Sequence, residues 1–209
     1  MWWVTAIGFL AQILFSSRLI IQWFLSEKEK KVVSPLIFWQ LSLLGGFLLF
    51  TYGWFRDDFS IMLGQILTYY IYIRNLQLLG YWKKLNTIFK IFILSFPILV
   101  IGYSFNNGIY DVDRLFRNDE IPFNLLMLGI IGQVIFTLRF VIQWLLSERS
   151  KKSELPIHFW ILSLIGSLLI FIYAIIRVDY VLMFGHIFGL IVYIRNIILY
   201  KNQHEETST

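Results

Sequence analysis

Four arginines, Arg18, Arg74, Arg139 and Arg195, stand in or beside runs of sequence that otherwise suit a lipid environment. A guanidinium stays charged and presents its donors in a planar fork, which grips a carboxylate or phosphate through two hydrogen bonds at once. At mid-membrane an arginine costs on the order of 2.5–3.5 kcal/mol on insertion scales. One explanation is snorkelling to headgroups, and Arg74 and Arg195 near the ends of their runs would serve as anchors of that kind. The other is a shared anion site, for which phosphate is the best geometric match. Gln22 and Ser26 follow Arg18 at i+4 and i+8, as Gln143 and Ser147 follow Arg139, so each arginine heads a polar stripe on one helix face. Asn75 and Asn196 follow Arg74 and Arg195, and an anchor needs no amide beside it. Gln65, Thr68 and Tyr72 make a further track, matched in the second half by His186, Gly189 and Tyr193. His186 either accepts a hydrogen bond there or makes a helix–helix contact. Glu27 and Glu148 pair either with the arginines or with adjacent lysines.

Other chemistry is poorly represented. The chain has no cysteine, so disulfides, thiolate ligands and cysteine nucleophiles are excluded. There is no glycine-rich phosphate loop, no paired acidic metal motif and no nucleophile–base pair. We therefore expect no catalytic residues, no metal and no cofactor.

The elements that hold these residues are apolar. With 58% hydrophobic and 15% charged residues and a mean hydropathy of +0.69, the chain reads as an integral membrane protein. Seven spans are expected, at about 2–25, 35–55, 60–79, 85–103, 123–146, 156–176 and 180–200. The first is read as retained rather than as a signal peptide, since it lacks a basic start and recurs later in the chain. Residues 8–75 return as 129–196 at a constant offset of 121, with 31 of 68 positions identical. The identities include Gln22/Gln143, Glu27/Glu148, Pro35/Pro156, Trp39/Trp160, Ser42/Ser163 and Gly45/Gly166.

A three-span unit inserted twice would face opposite ways, and the extra fourth span restores one orientation to both copies. The expected fold is thus all-α, with two parallel three-helix repeats joined by a linker helix. The repeats cover 1–80 and 122–200, the linker helix and external loop 81–121, and 201–209 form a disordered cytoplasmic tail. Lysines and arginines favour one side (Lys28, Lys30, Lys31, Lys83, Lys84, Arg149, Lys151, Lys152, Lys201), which puts that side in the cytoplasm and the N-terminus outside. Confined to short connections, this charge gives no sign of nucleic-acid binding. Asp58 and Asp179, just before spans three and seven, are either helix N-caps or members of an outer gate, while Pro35 and Pro156 fit the first turns of their helices.

The pattern Arg-x-x-x-Gln-Trp-x-x-Ser-Glu, then Pro-x-x-Phe-Trp-x-x-Ser-Leu-x-Gly, then Tyr-x-Arg-Asn, resembles the lipid A biosynthesis N-terminal domain family, in both copies. That family is grouped with the PQ-loop and SWEET-like transporters. The resemblance implies a three-plus-one-plus-three helix plan and a bacterial inner-membrane protein tied to lipopolysaccharide or another lipid-linked glycan. The dipeptide Pro-Gln itself is absent, with Pro35-Leu36 and Pro156-Ile157 in its place.

Together these readings lead us to expect a transporter or flippase for a lipid-linked, phosphate-bearing glycan precursor, such as a polyprenyl-phosphate sugar. Arg18, Arg74, Arg139 and Arg195 would hold the phosphate. Gln22, Gln65, Tyr72, Asn75, Gln143, His186, Tyr193 and Asn196 would meet the head group. Glu27, Pro35, Trp39, Asp58, Glu148, Pro156, Trp160 and Asp179 would gate or brace the path. The alternatives are an accessory subunit presenting lipid to a glycosyltransferase or acyltransferase, and the lipid-A-disaccharide synthase activity that the family name carries. Because no soluble nucleotide-sugar domain is visible, an enzyme is not expected. A homodimer is left open.

Overall fold

The computed structural model describes residues 2–55, 59–105, 122–178 and 180–208. Its elements are α1 (Trp2–Glu29), α2 (Leu36–Phe55), α3 (Phe59–Leu78), a 3-10 turn (Tyr81–Lys84), α4 (Thr87–Phe105), α5 (Phe123–Ser150), α6 (Ile157–Arg177) and α7 (Tyr180–Ser208). Asp58 and Asp179, expected as caps or gate residues, lie outside the described residues.

Helix ends follow local chemistry. Lys30 and Lys151 take left-handed backbone angles, with φ of 52° and 54°, and stop α1 and α5. The amide of Lys31 then reaches back to the carbonyl of Ser26 at 3.2 Å, satisfying an acceptor that the helix end would leave bare. Pro35 and Pro156 stand one residue ahead of α2 and α6 instead of inside their first turns, and their carbonyls accept the amides of Phe38 and Phe159. The tail expected to be disordered is different: α7 runs on through its polar residues to Ser208. Lys201, Gln203, Glu205 and Glu206 are straight-chain residues that cost little in a helix already nucleated upstream.

The protein is all-helical, and among the described residues α1, α2, α5 and α6 are long and apolar enough to cross a membrane. That is fewer than the seven spans expected. A shorter apolar stretch, Thr87–Val100, lies in α4, while α3 and α7 are diluted by the polar residues described below. Large apolar side chains such as Phe24, Ile88, Ile98, Leu99, Leu168 and Ile191 are exposed on the outside, which suits lipid as solvent.

Within each copy the helices pack in sequence, α1 on α2 on α3 and α5 on α6 on α7. Across the copies the contacts are crossed: α1 meets α7, and α3 meets α5. The main core forms along this crossing and draws on both copies, with Phe38, Trp39, Tyr72, Phe140, Phe159, Trp160 and Tyr193 fully buried. α4 lies against the first copy. The Tyr69 and Tyr70 hydroxyls donate to the carbonyls of Ile93 and Leu94, at 3.1 and 2.9 Å, and the Phe47 and Phe96 rings are 4.4 Å apart.

Candidate functional site

The crossed seams put the polar stripes of α1 and α5 at the centre of the molecule, in three layers. Arg18 and Arg139 form the deepest, only 4% and 3% exposed. Nη1 of Arg18 donates to the Ser42 hydroxyl at 2.6 Å, and Nη1 of Arg139 donates to Ser163 at 3.1 Å and to the Tyr193 hydroxyl at 3.2 Å. Each serine passes its own proton back to its helix, to the carbonyl of Phe38 or Phe159. Aromatic rings supply the rest of the surroundings. The Arg18 guanidinium faces Phe15, Phe38 and Tyr72, and that of Arg139 faces Phe136, Phe159 and Tyr193. Both look onto the Phe140 ring, at 5.5 and 4.6 Å from its centroid. Ring faces attract cations, by about 0.5–2 kcal/mol a contact, but they do not neutralise them. Nε of each arginine is buried with no hydrogen-bond partner, and among the described residues no carboxylate lies within ion-pair distance of either.

The middle layer consists of two reciprocal amide pairs. Gln22 donates to Asn196 at 2.8 Å and receives from it at 3.2 Å, and Gln143 and Asn75 do the same at 2.9 and 3.1 Å. Each glutamine also donates to the serine one turn on, Ser26 or Ser147, and to a carbonyl of the following loop, Val33 or Glu154. The i+4, i+8 spacing thus lets one helix face hold both the opposite copy and its own loop.

The third layer sits at the polar end of the helices. Arg74 meets Glu148 through Nε and Nη2, both at 2.7 Å, and Arg195 meets Glu27 in the same bidentate way. Both carboxylates lie past the apolar runs, and their arginines hold them at about 2, well below the ordinary carboxyl value. Lys151 adds to Glu148, and Trp23 to Glu27. The four arginines therefore do not converge. Arg18 and Arg139 share the interior, whereas Arg74 and Arg195 tie the copies together and already hold carboxylates.

Other expected residues fall beside these layers. The Trp39 indole donates to Ser34 at 2.8 Å, but that of Trp160 is buried without a partner, because the position matching Ser34 is Leu155. His186 Nδ1 lies 2.9 Å from the Ser167 hydroxyl, and Oε1 of Gln65, its counterpart, is buried and unpaired. Sequence reasoning missed the partner role of Ser42 and Ser163, although their identity in both copies marks them, and it missed the aromatic box altogether. Among the described residues no group of three or more histidines and carboxylates could hold a metal ion.

A duplicated three-helix membrane unit, closed along crossed polar seams around two buried arginines, is the class of protein that the fold and site define. The chain belongs to the lipid A biosynthesis N-terminal domain family, whose pattern matches residues 7–77 and again 128–198. It is 34% identical over 206 residues to a lipid-A-disaccharide synthase of Chlamydia felis, covering 93% of this chain and 33% of the relative. A protein of the same name from Chlamydia pneumoniae is 29% identical over 205 residues, covering 96% and 34%, and one from Chlamydia abortus 32% over 206, covering 93% and 33%. The chain thus spans about a third of the length of the curated relatives it matches. No solved structure matches it. Its long apolar helices mark a membrane protein, and its family is described by lipid A biosynthesis. The expectation that it is not an enzyme is overturned, since relatives matched along nearly all of this chain bear the name of an enzyme. That expectation rested on motifs not found, and such an absence says little about a chain that spans one third of its relatives.

Proposed function

We propose that the chain is the membrane-embedded, substrate-holding part of lipid-A-disaccharide synthesis, with Arg18 and Arg139 gripping the phosphate of a lipid-linked sugar between the two copies. One observation carries this reading: two guanidiniums buried together with free Nε donors and, among the described residues, no carboxylate within ion-pair distance. A buried charge with no opposite charge beside it is strongly disfavoured, and two of like sign on one ring more so. Arg74 and Arg195 of the same motif do have carboxylates, so the lack of them on Arg18 and Arg139 is not a general property of the fold. A phosphate entering from the bilayer would supply the missing acceptors while its acyl chains stay in lipid. The relatives' name supplies the process, the formation of a disaccharide of lipid A.

On this reading the helices follow the three-plus-one-plus-three plan of PQ-loop and SWEET-like proteins, with α4 as the single connector. The basic end, with Lys28, Lys30, Lys31, Lys83 and Lys84, faces the cytoplasm of a bacterial inner membrane. The test is native mass spectrometry of the purified protein with a diacyl glucosamine 1-phosphate, beside an assay of disaccharide formation in membranes that contain the chain. We expect the lipid to bind wild type and the Arg18→Gln/Arg139→Gln variant to lose both binding and disaccharide formation. Equal binding by the variant refutes the reading.

Movement of the same lipid across the membrane is a second reading, favoured by the unequal ends of the seams. Ion pairs close the polar end, while further along the helices Gln12 rests against Gly185 and Gln133 against Gly64. Two copies that rock about the centre would open one end at a time. Scrambling of a quenchable lipid phosphate in proteoliposomes tests it, and no movement by wild type rejects it.

A further inference from the structure

Among the places where the two copies differ beside the arginines, one pairs a missing side chain with an unmet polar atom. In the second copy Ser167 is fully buried and its hydroxyl lies 2.9 Å from Nδ1 of His186. The matching positions in the first copy are Gly46 and Gln65. There the serine's side chain is missing, and Gln65 Oε1 is buried with no partner. A Cβ built on Gly46 would lie 3.4 Å from the Tyr72 ring and 3.6 Å from Gln65 Oε1, ordinary contact distances. The Tyr72 ring is in turn 5.6 Å from the Arg18 guanidinium. The first copy therefore leaves a slot with room for one Cβ-sized group beside the orphan acceptor, lined by the Tyr72 ring that in turn neighbours the buried Arg18. A buried acceptor left bare costs more than the same bond gains when made, so such a position favours a ligand that brings a donor.

We propose that this slot receives a hydroxyl of the bound lipid phosphate, which donates to Gln65 Oε1, so that Gln65 and Gly46 set the preference for a sugar-bearing phosphate over a plain one. The second copy shows the chemistry internally: the ligand's hydroxyl takes the place that Ser167 fills beside His186. The inference rests on the phosphate reading above and adds specificity to it. It also accounts for a paired replacement on the two tracks, Gly46 and Gln65 against Ser167 and His186. The Arg18–Gln22–Ser26 stripe is repeated residue for residue, while Gly46 and Gln65 are replaced together.

The test uses the purified chain and two probes of equal charge, dodecyl glucosyl phosphodiester and dodecyl methyl phosphodiester, with affinities from titration calorimetry. Wild type is expected to bind the glucosyl probe about tenfold more tightly, as befits one charge-free hydrogen bond in a dry site. Gly46→Ser, whose Cβ meets its neighbours at ordinary contact distances, brings a hydroxyl of the protein's own to Gln65, and Gln65→Leu removes the acceptor. Both should erase the preference and leave binding of the methyl probe unchanged. Unchanged melting of Gly46→Ser shows that the effect is not misfolding. If the preference survives in both variants, or wild type has none, the slot holds no more than water and the proposal is overturned. If wild type binds neither probe, the phosphate reading falls as well. If only Arg18→Gln and Arg139→Gln weaken binding, the phosphate reading stands without this one.

Discussion

Gly45 and Gly166 occupy the same place in the two copies, and each faces the phenylalanine that stacks on its own copy's buried arginine, yet replacing them with alanine should have unequal effects. At Gly166 an added Cβ would fall 2.7 Å from the backbone nitrogen of Phe136 and 2.8 Å from its Cα. At Gly45 the nearest atoms are ring carbons of Phe15, at 3.0 and 3.1 Å. A ring edge can move aside, but backbone held in a long helix moves only if α5 and α6 separate. Overpacking costs about 1–3 kcal/mol, and alanine regains about 1 kcal/mol over glycine in a helix interior. With rigid backbone the upper figure applies, so Gly166→Ala should cost roughly 2 kcal/mol net, whereas Gly45→Ala should come out near zero. For a chain of this size that cost corresponds to a melting point lower by about 4–8 °C. The eight tryptophans give a fluorescence melt in detergent without labelling. Phe136 also stacks on the Arg139 guanidinium at 3.4 Å, so Gly166→Ala should weaken binding of a lipid phosphate, while Gly45→Ala should not. Equal melting shifts in the two variants would refute the reasoning.

Three other outcomes are expected. Arg139→Met removes a buried charge that lacks a carboxylate and replaces it with an apolar chain, so it should leave melting unchanged or raise it while abolishing lipid-phosphate binding; a lower melting point would make Arg139 structural. Glu27 and Glu148 have carboxyls held at about 2, below the ordinary 4.5, so their contribution to joining the copies is complete above the ordinary value and fades as pH falls towards 2. Glu148→Gln should flatten part of that acid dependence in a melting series, and an unaltered series would show the bridge to be idle. Ser34 and Ser153 have hydroxyls 3.2 Å apart across the copies, and the chain has no cysteine of its own, so Ser34→Cys/Ser153→Cys should cross-link cleanly under oxidation. The locked protein should still bind lipid phosphate if holding is its role, and should stop moving it if rocking is.

Much of this architecture was legible in the residues themselves. The constant offset between Arg18 and Arg139, and the i+4, i+8 stripe behind each, revealed the duplication and the buried polar face. Pairing across the copies was not legible. Gln22 reaches Asn196, not Asn75, because α1 meets α7, and helix crossing leaves no local signal in either segment. The same crossing separates the arginines. Arg74 and Arg195, beside the amides in sequence, point towards the polar end and meet Glu148 and Glu27, while Arg18 and Arg139 remain inside. Seven helices stand where seven spans were expected, but α3 and α7 are less apolar than the rest: they line the seams, where neighbouring helices replace lipid, so their hydropathy can fall without exposing polar groups. The tail was missed, since its polarity was read as disorder although its residues suit a helix.

The crossing has a consequence for how such a chain arises. A unit whose first helix pairs with the third helix of its twin carries both halves of its own interface. Two separate copies inserted in the same direction would close the same two seams, and their assembly would need no other partner. Such a pair must be identical on both sides of its axis. Linking the copies through α4 lifts that constraint, so a change such as glycine opposite serine at positions 46 and 167 is made once, on one side only. Fusion turns a symmetric dimer into a single chain that can offer an unsymmetric molecule an unsymmetric seat.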